Sequence, residues 1–377
     1  MDFAPNSQQS AIQEMARAFA HEFLTPTVAR RDRLRLVDGA LYEKAAALGL
    51  NAVFWPKKYG GLNADYTSYM LACVELSKAD DGFAFCLTAS SMLFGWPVLA
   101  FGTEEQKQRW LRQAKMGAFC LSEKKAGSNA AALRTTARRD NDHYIINGAK
   151  VFVTNACEAD FFLVITKTAH DESSAFVIEK DTPGLKLEAQ TKMGVNAVSM
   201  GKVSFHDLRI PAANLLGKPG QGMKIAMAVV NGGRLSMGAQ ALGICLSALK
   251  LCMHYGKKLH YQGRALMDYQ ATQFTLADMA TRIEALRLLL YRLAWLRDHN
   301  REHSLEAAST KLCGARTAIA VTSQAMQMLG DYSYLAECDL ERLYRNAHML
   351  AYGGGTSQIQ RLIIARHLLR DCQPGGA

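Results

Sequence analysis

The feature of this sequence that most constrains its fold is a long segment without proline, since residues 220–373 contain none. Leucine, alanine, methionine, arginine and glutamine recur through it at helical spacing. One apolar helix face is formed by Met279, Ile283, Leu286, Leu290 and Leu293. Such a stripe is typical of a helix packed in a core. We therefore predict a helical bundle of four or five long helices over residues 223–377.

The N-terminal region also has a helical pattern, so residues 1–115 are predicted to form an all-helical domain. Apolar residues such as Ile12, Met15 and Phe19 lie at helical intervals. Thr103 and Gln106 have the Thr-x-x-Gln spacing of a capping box and precede the apolar residue Trp110.

The residues between these two helical regions are rich in short apolar runs that are typical of strands. Two such runs flank Asn147-Gly148, a dipeptide that favours a tight hairpin turn, so we expect a β-hairpin there. Further runs at Phe161–Thr166 and Ala175–Glu179 have the same character. Residues 116–222 are therefore predicted to form a β domain, which gives an α+β chain in the order helices, β domain, helical bundle.

Composition narrows the function classes. The chain has 377 residues, of which 49% are hydrophobic and 21% charged, as in ordinary globular proteins. It contains no uninterrupted apolar run of the roughly 20 residues that a membrane-spanning helix needs, and no secretory pattern at its start. The nine cysteines include no C-x-x-C pair, which favours reduced thiols and provides no metal framework. We expect a cytoplasmic protein without a membrane segment or a metal.

The formal net charge of +10 favours acidic or phosphorylated partners. Nucleic acid is not expected, because no run of five or six basic residues occurs and aromatic residues are not interleaved with basic ones. A coenzyme phosphate or an acidic carrier protein fits the same charge.

Several segments, in this order along nearly the whole chain, carry a family resemblance. They are Pro56–Gly61, Gly102–Lys107, Ser122–Asn129, Asn147–Lys150, Val153–Ala156, Gln327–Gly330 and Gly355–Arg361. Together they resemble the acyl-CoA dehydrogenase flavoprotein family. The resemblance implies an acyl-CoA dehydrogenase-like fold, a homodimer or homotetramer, and FAD bound between the β domain and the C-terminal bundle, partly by a neighbouring subunit.

The resemblance also implies roles for individual residues around FAD. Ser122 would bind the pyrimidine edge of the flavin, Ser128 would face a phosphate, Phe152 would lie against the ring in place of the usual tryptophan, and Thr154 would lie near N5. The dinucleotide end would be lined by Gln327, Gly330, Thr356 and Gln358. Thr356 and Ser357 follow three glycines and can begin a helix whose free N–H groups favour phosphate. The same glycines also fit a simple helix end and turn.

Some positions depart from the family pattern. The arginine that reaches a flavin phosphate across the dimer is replaced by Leu259, and the nearby family phenylalanine is Gln262. Arg264, Lys257 and Lys258 are the candidates that replace the missing charge. Asp331 replaces the second glycine of the Gln-x-x-Gly-Gly segment, where it acts either as a ribose ligand or as a turn residue at the helix end.

The most consequential departure concerns the catalytic base. Desaturation of an acyl thioester requires a carboxylate that removes the α proton while a hydride leaves the β carbon. The two positions where the family carries this carboxylate are Gly354 and Gly233 in this sequence. No residue carried over from the family is therefore a base.

Three explanations remain open at the level of sequence. A base can come from elsewhere, with His348, Tyr352, Glu123 and Asp331 as the nearest polar candidates, in an acyl-CoA dehydrogenase that still desaturates its substrate. The chain can be a redox-inactive binding subunit. The third explanation, which we favour, is a reaction that removes hydride from the β carbon and a proton only from oxygen.

The favoured interpretation resembles the family members that act on acyl carrier protein thioesters in polyketide and nonribosomal peptide pathways, and in particular an aminomalonyl type that oxidises a seryl thioester. Arg234, Asn231 and Gly354 are the predicted substrate-binding residues. Asn231 replaces a family acid near the coenzyme adenine, and Lys124-Lys125 is a candidate contact for an acidic carrier, although an exposed lysine pair often serves solubility alone. A CoA thioester remains an alternative substrate, and a flavin monooxygenase remains an alternative activity.

Overall fold

A computed structural model describes residues 3–111 and 115–371 of the chain. The N-terminal part is helical, as predicted. Its helices are α1 (Ser7–Phe19), α2 (Val28–Leu34), α3 (Gly39–Ala47), α4 (Tyr66–Thr88), α5 (Trp96–Phe101) and α6 (Glu104–Leu111). The predicted capping box begins α6, because the Thr103 amide donates to the Gln106 side chain at 3.0 Å and the Gln106 amide donates to the Thr103 hydroxyl at 3.3 Å.

Helix α4 is kinked at Asp80, whose backbone is not helical (φ −150°, ψ 98°). The Asp80 carboxylate accepts from the Phe83 amide at 3.1 Å and so restarts the helix after the kink. The same carboxylate forms a buried ion pair with Arg31 of α2. These two contacts satisfy a charge that lies inside the N-terminal core.

The middle of the chain forms one eight-stranded sheet. Its strands are β1 (Gly117–Cys120), β2 (Thr136–Asp140), β3 (His143–Thr154), β4 (Phe161–Lys167), β5 (Ser173–Glu179), β6 (Leu185–Ala189), β7 (Met200–Pro211) and β8 (Leu215–Leu216). Seven strands follow the order β6-β7-β3-β2-β4-β5-β8, and β1 pairs in parallel with β4. The β domain expected from the sequence is therefore present.

The hairpin predicted at Asn147-Gly148 is wrong, because β3 runs through this dipeptide without reversing. Asn147 pairs with Thr136 of β2, and Gly148 pairs with Phe205 of β7. The chain instead reverses between Asp140 and His143, where Asn141 adopts a left-handed backbone (φ 55°). Gly148 (φ 139°) lies at a register shift between β3 and β7, so it marks an irregularity inside a strand.

The described residues of the C-terminal part form a small hairpin and five helices, which confirms the predicted bundle. They are β9 (His260–Tyr261), β10 (Arg264–Ala265), α7 (Gly222–Gly256), α8 (Gln270–Asp298), α9 (Ser304–Leu329), α10 (Leu340–Met349) and α11 (Ser357–Asp371). The predicted stripe from Met279 to Leu293 is buried on α8. The Tyr69 hydroxyl of α4 lies 2.8 Å from the Ser236 hydroxyl of α7, and Arg342 of α10 pairs with Asp81 of α4, so the first and last parts share one core.

Two helical stretches, Tyr66–Phe101 and Gly222–Gly256, are long and apolar enough to cross a membrane by length and composition. In each, 72% of the most apolar window is buried inside the protein, as in the core helices of many proteins. Polar residues interrupt both stretches, so neither is visible in the sequence as an uninterrupted apolar run.

Candidate active site

The two glycines at the family base positions lie on different elements of the C-terminal part. Gly233 is buried within α7, and Gly354 lies in the turn between α10 and α11. Met237, one helical turn beyond Gly233, packs against the turn: a Cβ atom at position 354 would lie 2.5 Å from its Sδ. Gly354 also has a left-handed backbone (φ 63°), so an acidic side chain there would be strained and would require Met237 to move.

Position 233 has a close neighbour as well. A Cβ atom added to Gly233 would lie 2.7 Å from Cδ2 of Leu93, so a side chain there would require Leu93 to move. The backbone itself favours glycine only at position 354.

Arg234, the next residue of α7, is buried and points its guanidinium at neutral groups. Its Nη1 donates to Oδ1 of Asn231 at 2.9 Å, while its Nε has no hydrogen-bond partner among the described residues. Burial lowers the pKa of Arg234 to about 10. The Asn231 amide lies 3.5 Å from the Ser304 hydroxyl, at the start of α9. The structure thus brings the predicted residues Arg234 and Asn231 into direct contact.

Lys311 of α9 is buried against the turn that contains Gly354, and it was not among the residues predicted from the sequence. Its Nζ donates to the carbonyl oxygen of Gly355 at 2.6 Å, and only 2% of the residue is exposed. Burial, with a smaller effect from the positive charge of Arg234, lowers the pKa of Lys311 to about 8. The available signal was its spacing on α9, where Lys311 lies four residues from Ala307 and from Ala315 on one buried face of the helix.

On the β side, Ser122 and Phe152 are held together through the backbone. The Val151 amide donates to the carbonyl oxygen of Ser122 at 2.8 Å. Phe152 has a left-handed backbone (φ 56°) at an irregularity of β3, and 64% of it is exposed. A strained, exposed aromatic residue beside a strand end is suited to stack on a planar ligand. Thr154 is half-buried at the end of the same strand.

The other predicted cofactor residues lie in separate places within the single chain. Ser128 is exposed on the loop between β1 and β2, whereas Gln327 and Gly330 are exposed at the C-terminal end of α9. Thr356 caps α11 by accepting from the Ile359 amide at 3.3 Å, and Gln358 is exposed in the first turn of that helix. The helix start expected after the three glycines is therefore present.

Of the candidates for a relocated base, Glu123 is occupied in the structure. Its carboxylate pairs with the buried Lys150 Nζ at 2.7 Å and accepts from the amides of Arg134 and Thr135. The pKa of Glu123 is lowered by these partners, which outweigh its desolvation. These partners hold the Glu123 carboxylate within the β domain, and the lowered pKa makes it a weaker base than a free glutamate.

The remaining candidates differ in exposure. Tyr352 and Asp331 are exposed, and Asp331 lies in the turn Gly330–Tyr334 that ends α9. The His348 Nε2 is buried without a hydrogen-bond partner among the described residues, and its ring packs on that of Tyr344 with centroids 4.9 Å apart.

The residues proposed for contact with a second subunit lie in the hairpin β9–β10 and in the segment just before it. Arg264 is exposed, with its guanidinium 5.0 Å from the centroid of the Tyr269 ring, and Lys258 lies 3.0 Å from Nε2 of His254. Leu259, which replaces the family arginine, is half-buried against the bundle and carries no charge.

Family comparison agrees with this arrangement over nearly all of the chain. The N-terminal, middle and C-terminal domain models of acyl-CoA dehydrogenases match residues 6–118, 118–208 and 220–369. The chain belongs to the acyl-CoA dehydrogenase family. It is an FAD-dependent oxidoreductase that acts on acyl thioesters.

Individual relatives are similar to this chain over nearly its whole length. The short-chain specific acyl-CoA dehydrogenase of mouse mitochondria is 39% identical over 369 residues, which are 96% of this chain and 90% of the relative. The solved butyryl-CoA dehydrogenase of Megasphaera elsdenii is 36% identical with a TM-score of 0.96, covering 98% of this chain and 100% of that one.

Two solved structures lie further from this chain. The prolyl acyl carrier protein oxidase AnaB is 30% identical with a TM-score of 0.93, covering 97% of this chain and 100% of that one. PigA, solved with FAD and proline, is also 30% identical, with a TM-score of 0.94 and coverages of 98% and 99%. The resemblance found in the sequence is thus confirmed at the level of the family, while its carrier-protein subtype stays a prediction.

Proposed function

We propose that this protein oxidises the β carbon of a short, polar acyl thioester, with a seryl-type acyl group on a carrier protein as the leading candidate. The observation that carries the proposal is the pair Gly354 and Gly233. The left-handed backbone (φ 63°) opposes a carboxylate at position 354, and a side chain at position 233 would require Leu93 to move. The reaction then proceeds without a carboxylate at either position to remove an α proton.

FAD, when bound, supplies the acceptor for a hydride. Phe152 and Thr154, at the end of β3, would hold the ring, and Ser122 would bind its edge. Thr356 and the amides at the start of α11 are suited to a phosphate, and Ser128 is exposed for the same task. The exposed, strained Phe152 is the feature of this chain that best fits a planar cofactor.

A β oxygen on the substrate makes the missing base unnecessary. When the β carbon carries a hydroxyl or an aldehyde hydrate, loss of a hydride from carbon is balanced by loss of a proton from oxygen, and water can accept that proton. Gly354 is exposed, so water reaches this side of the site. The product is a carbonyl compound or, from the hydrate, a carboxylic acid.

A pair of exposed lysines is the candidate contact for a carrier protein. Lys124 and Lys125 are exposed at the tip of a two-residue turn closed by the backbone pair Glu123 and Ala126. A protruding pair of cations can bind an acidic carrier helix or a phosphopantetheine phosphate. The relationship to a prolyl carrier-protein oxidase supports this choice, while the relationship to short-chain acyl-CoA dehydrogenases supports a CoA thioester.

The test is anaerobic bleaching of the flavin by thioesters labelled with deuterium. We expect seryl and β-aldehyde thioesters to bleach the flavin, and β-deuterium but not α-deuterium to slow the bleaching. Butyryl thioester should bleach it negligibly, since a positioned base contributes about 10²- to 10⁴-fold to proton abstraction. The variant H348Q should retain the wild-type rate.

Other outcomes would identify the alternatives. An isotope effect from the α label alone, with loss of bleaching in H348Q, would show a desaturase with a relocated base. A product that contains oxygen from O₂ would show a monooxygenase. Failure of the purified protein to bind FAD would show a redox-inactive subunit.

A further inference from the structure

Buried cations in this protein fall into two groups. Six arginine and lysine residues of the described chain are less than 9% exposed: Arg31, Lys150, Arg234, Arg297, Lys311 and Arg342. Arg31, Lys150 and Arg342 each pair with a carboxylate. Arg234, Arg297 and Lys311 form no ion pair with any residue that the structure describes. Because a buried charge without a counter-ion is costly, these three require an explanation.

Arg297 is partly compensated by its surroundings. Its guanidinium lies 3.8 Å from the centroid of the Tyr66 ring, and its Nη1 donates to the carbonyl oxygen of Gly232 at 3.0 Å. The negative face of an aromatic ring stabilises a cation in this position. Arg297 therefore needs no further ligand, although it adds positive charge beside the same turn of α7.

Arg234 and Lys311 have only neutral partners. Arg234 donates to Asn231 and has an unpartnered Nε, while Lys311 donates to the Gly355 carbonyl. They lie on packed parts of two helices, because the Asn231 amide of α7 lies 3.5 Å from the Ser304 hydroxyl of α9, and a Cβ atom at Gly238 of α7 would lie 2.8 Å from Cγ2 of Thr310. Two cations are thus held together in the interior, with no carboxylate of the described chain between them.

The location of this pair explains why it lacks an anion. Arg234 directly follows Gly233, and Lys311 is bonded to the residue that directly follows Gly354. An acid at either glycine would have provided a counter-ion within the protein. Both acids are absent, whereas both cations are present.

We propose that Arg234 and Lys311 form an anion site for the carboxylate of a malonyl-type acyl group, the product of oxidising a β-aldehyde hydrate. The inference rests on the proposed function for the placement of the acyl group. In that oxidation the hydrate carbon would lose a hydride to FAD, one of its hydroxyl oxygens would lose a proton to water, and the resulting carboxylic acid would lose a second proton. The carboxylate so formed provides the counter-ion that the protein itself lacks.

Met237 packs beside the turn whose Gly355 carbonyl binds Lys311. Its side chain packs where substituents of Gly353 and Gly354 would project, with Sδ or Cε between 2.5 and 3.2 Å from the added Cβ atoms. A methionine side chain is unbranched and flexible, so it can rotate away without disturbing the backbone. The acyl group would then replace the thioether beside Gly354.

The experiment compares two ligands of similar shape on the flavin-loaded protein. Malonyl-phosphopantetheine carries the carboxylate, whereas isovaleryl-phosphopantetheine has a neutral isopropyl group in its place. Phosphopantetheine is common to CoA and to carrier proteins, so the comparison does not depend on which of them is used. We expect calorimetry to show malonyl binding at least tenfold tighter than isovaleryl binding in the wild-type protein.

Three variants locate the cause. The variant K311M should lose the tenfold preference and K311R should keep it, because arginine retains the charge. K250M removes an exposed charge from α7 and should also keep the preference. Equal binding of the two ligands by the wild-type protein, or an unchanged preference in folded K311M, would overturn the proposal.

The result is separable from the test of the proposed function. The malonyl group has no hydrogen on its β carbon, so its binding does not involve turnover. A malonyl preference without oxidation of seryl or β-aldehyde thioesters would refute the proposed reaction and leave the anion site. Oxidation without the preference would refute only the anion site.

Discussion

A single lysine shows how the absent carboxylate affects the residues around it. Lys311 is buried beside another cation, and its pKa is lowered from 10.5 to about 8, chiefly by burial and then by the charge of Arg234. Between these two pH values the unfolded chain binds a proton that the folded chain has released. The free energy of unfolding should therefore rise with pH in this window, and below it the unfavourable charge is fully present.

The variant K311M should remove this dependence. The free energy of unfolding of the wild-type protein minus that of K311M should rise by on the order of 3 kcal/mol between pH 8 and pH 10.5, because each unit of pKa shift corresponds to about 1.4 kcal/mol. Urea unfolding at a series of pH values measures the difference. Loss of the hydrogen bond from Lys311 to the Gly355 carbonyl changes the size of this difference at every pH, but not its slope with pH.

A matched variant separates burial from charge. K250M removes a lysine from the exposed face of α7, and the difference measured with it should stay nearly constant over the same pH range. A constant difference with K311M would contradict the environment described for Lys311.

The sequence predicted the two glycines of this site but not its buried lysine. The two glycines at 233 and 354 were visible in the sequence, because the surrounding motifs fix their positions. The role of Lys311 was not, since its Nζ is covered by a turn more than forty residues later in the chain. Burial of a lysine depends on such distant packing, which the local spacing of Ala307 and Ala315 does not determine.

At the scale of secondary-structure elements, strand β3 shows where local signals fail. Asn147-Gly148 has the composition of a hairpin turn, yet both residues are paired within the sheet. Long-range pairing with β2 and β7 prevails over the preference of the dipeptide. The capping box of α6 was predicted correctly, because both of its partners lie within four residues of each other.

The glycine in this strand can be tested directly. A Cβ atom at position 148 would lie 2.7 Å from Cα of Thr135, and the backbone there has φ 139°. We expect G148A to lower the free energy of unfolding by about 1–3 kcal/mol, the usual cost of one strained residue. Urea unfolding provides the measurement.

The control is a glycine in open space on a nearby loop. No atom lies within 4 Å of a Cβ atom added at Gly127, so G127A should change stability by less than about 0.5 kcal/mol. Equal effects of the two substitutions would show that the irregularity at Gly148 imposes no constraint.

At the scale of the whole molecule, the order of helices, sheet and bundle followed from composition and periodicity. The packing of these parts did not, since it depends on contacts such as Arg342 with Asp81, which are far apart in sequence. The predicted cofactor residues also remain divided in one chain. Ser122, Phe152 and Thr154 lie on the β side, whereas Gln327 and Gly330 are exposed at the end of α9.

This separation leads to a prediction about assembly. If a second subunit completes the site, FAD should be released when dilution dissociates the oligomer, because one chain then holds only part of the cofactor. Flavin fluorescence reports release, and sedimentation velocity over the same concentrations reports dissociation. We expect the two transitions to coincide.

Arg264 is the residue best suited to provide the cross-subunit charge, since it is exposed on the hairpin β9–β10 and Leu259 carries no charge. R264A should weaken FAD binding roughly tenfold, about the effect of one lost charge-assisted hydrogen bond of 1.5–3 kcal/mol. R282A, an exposed arginine of α8, is the matched control and should leave FAD binding unchanged. A monomer that retains one FAD at nanomolar concentration, or equal effects of R264A and R282A, would show that a single chain provides the whole site.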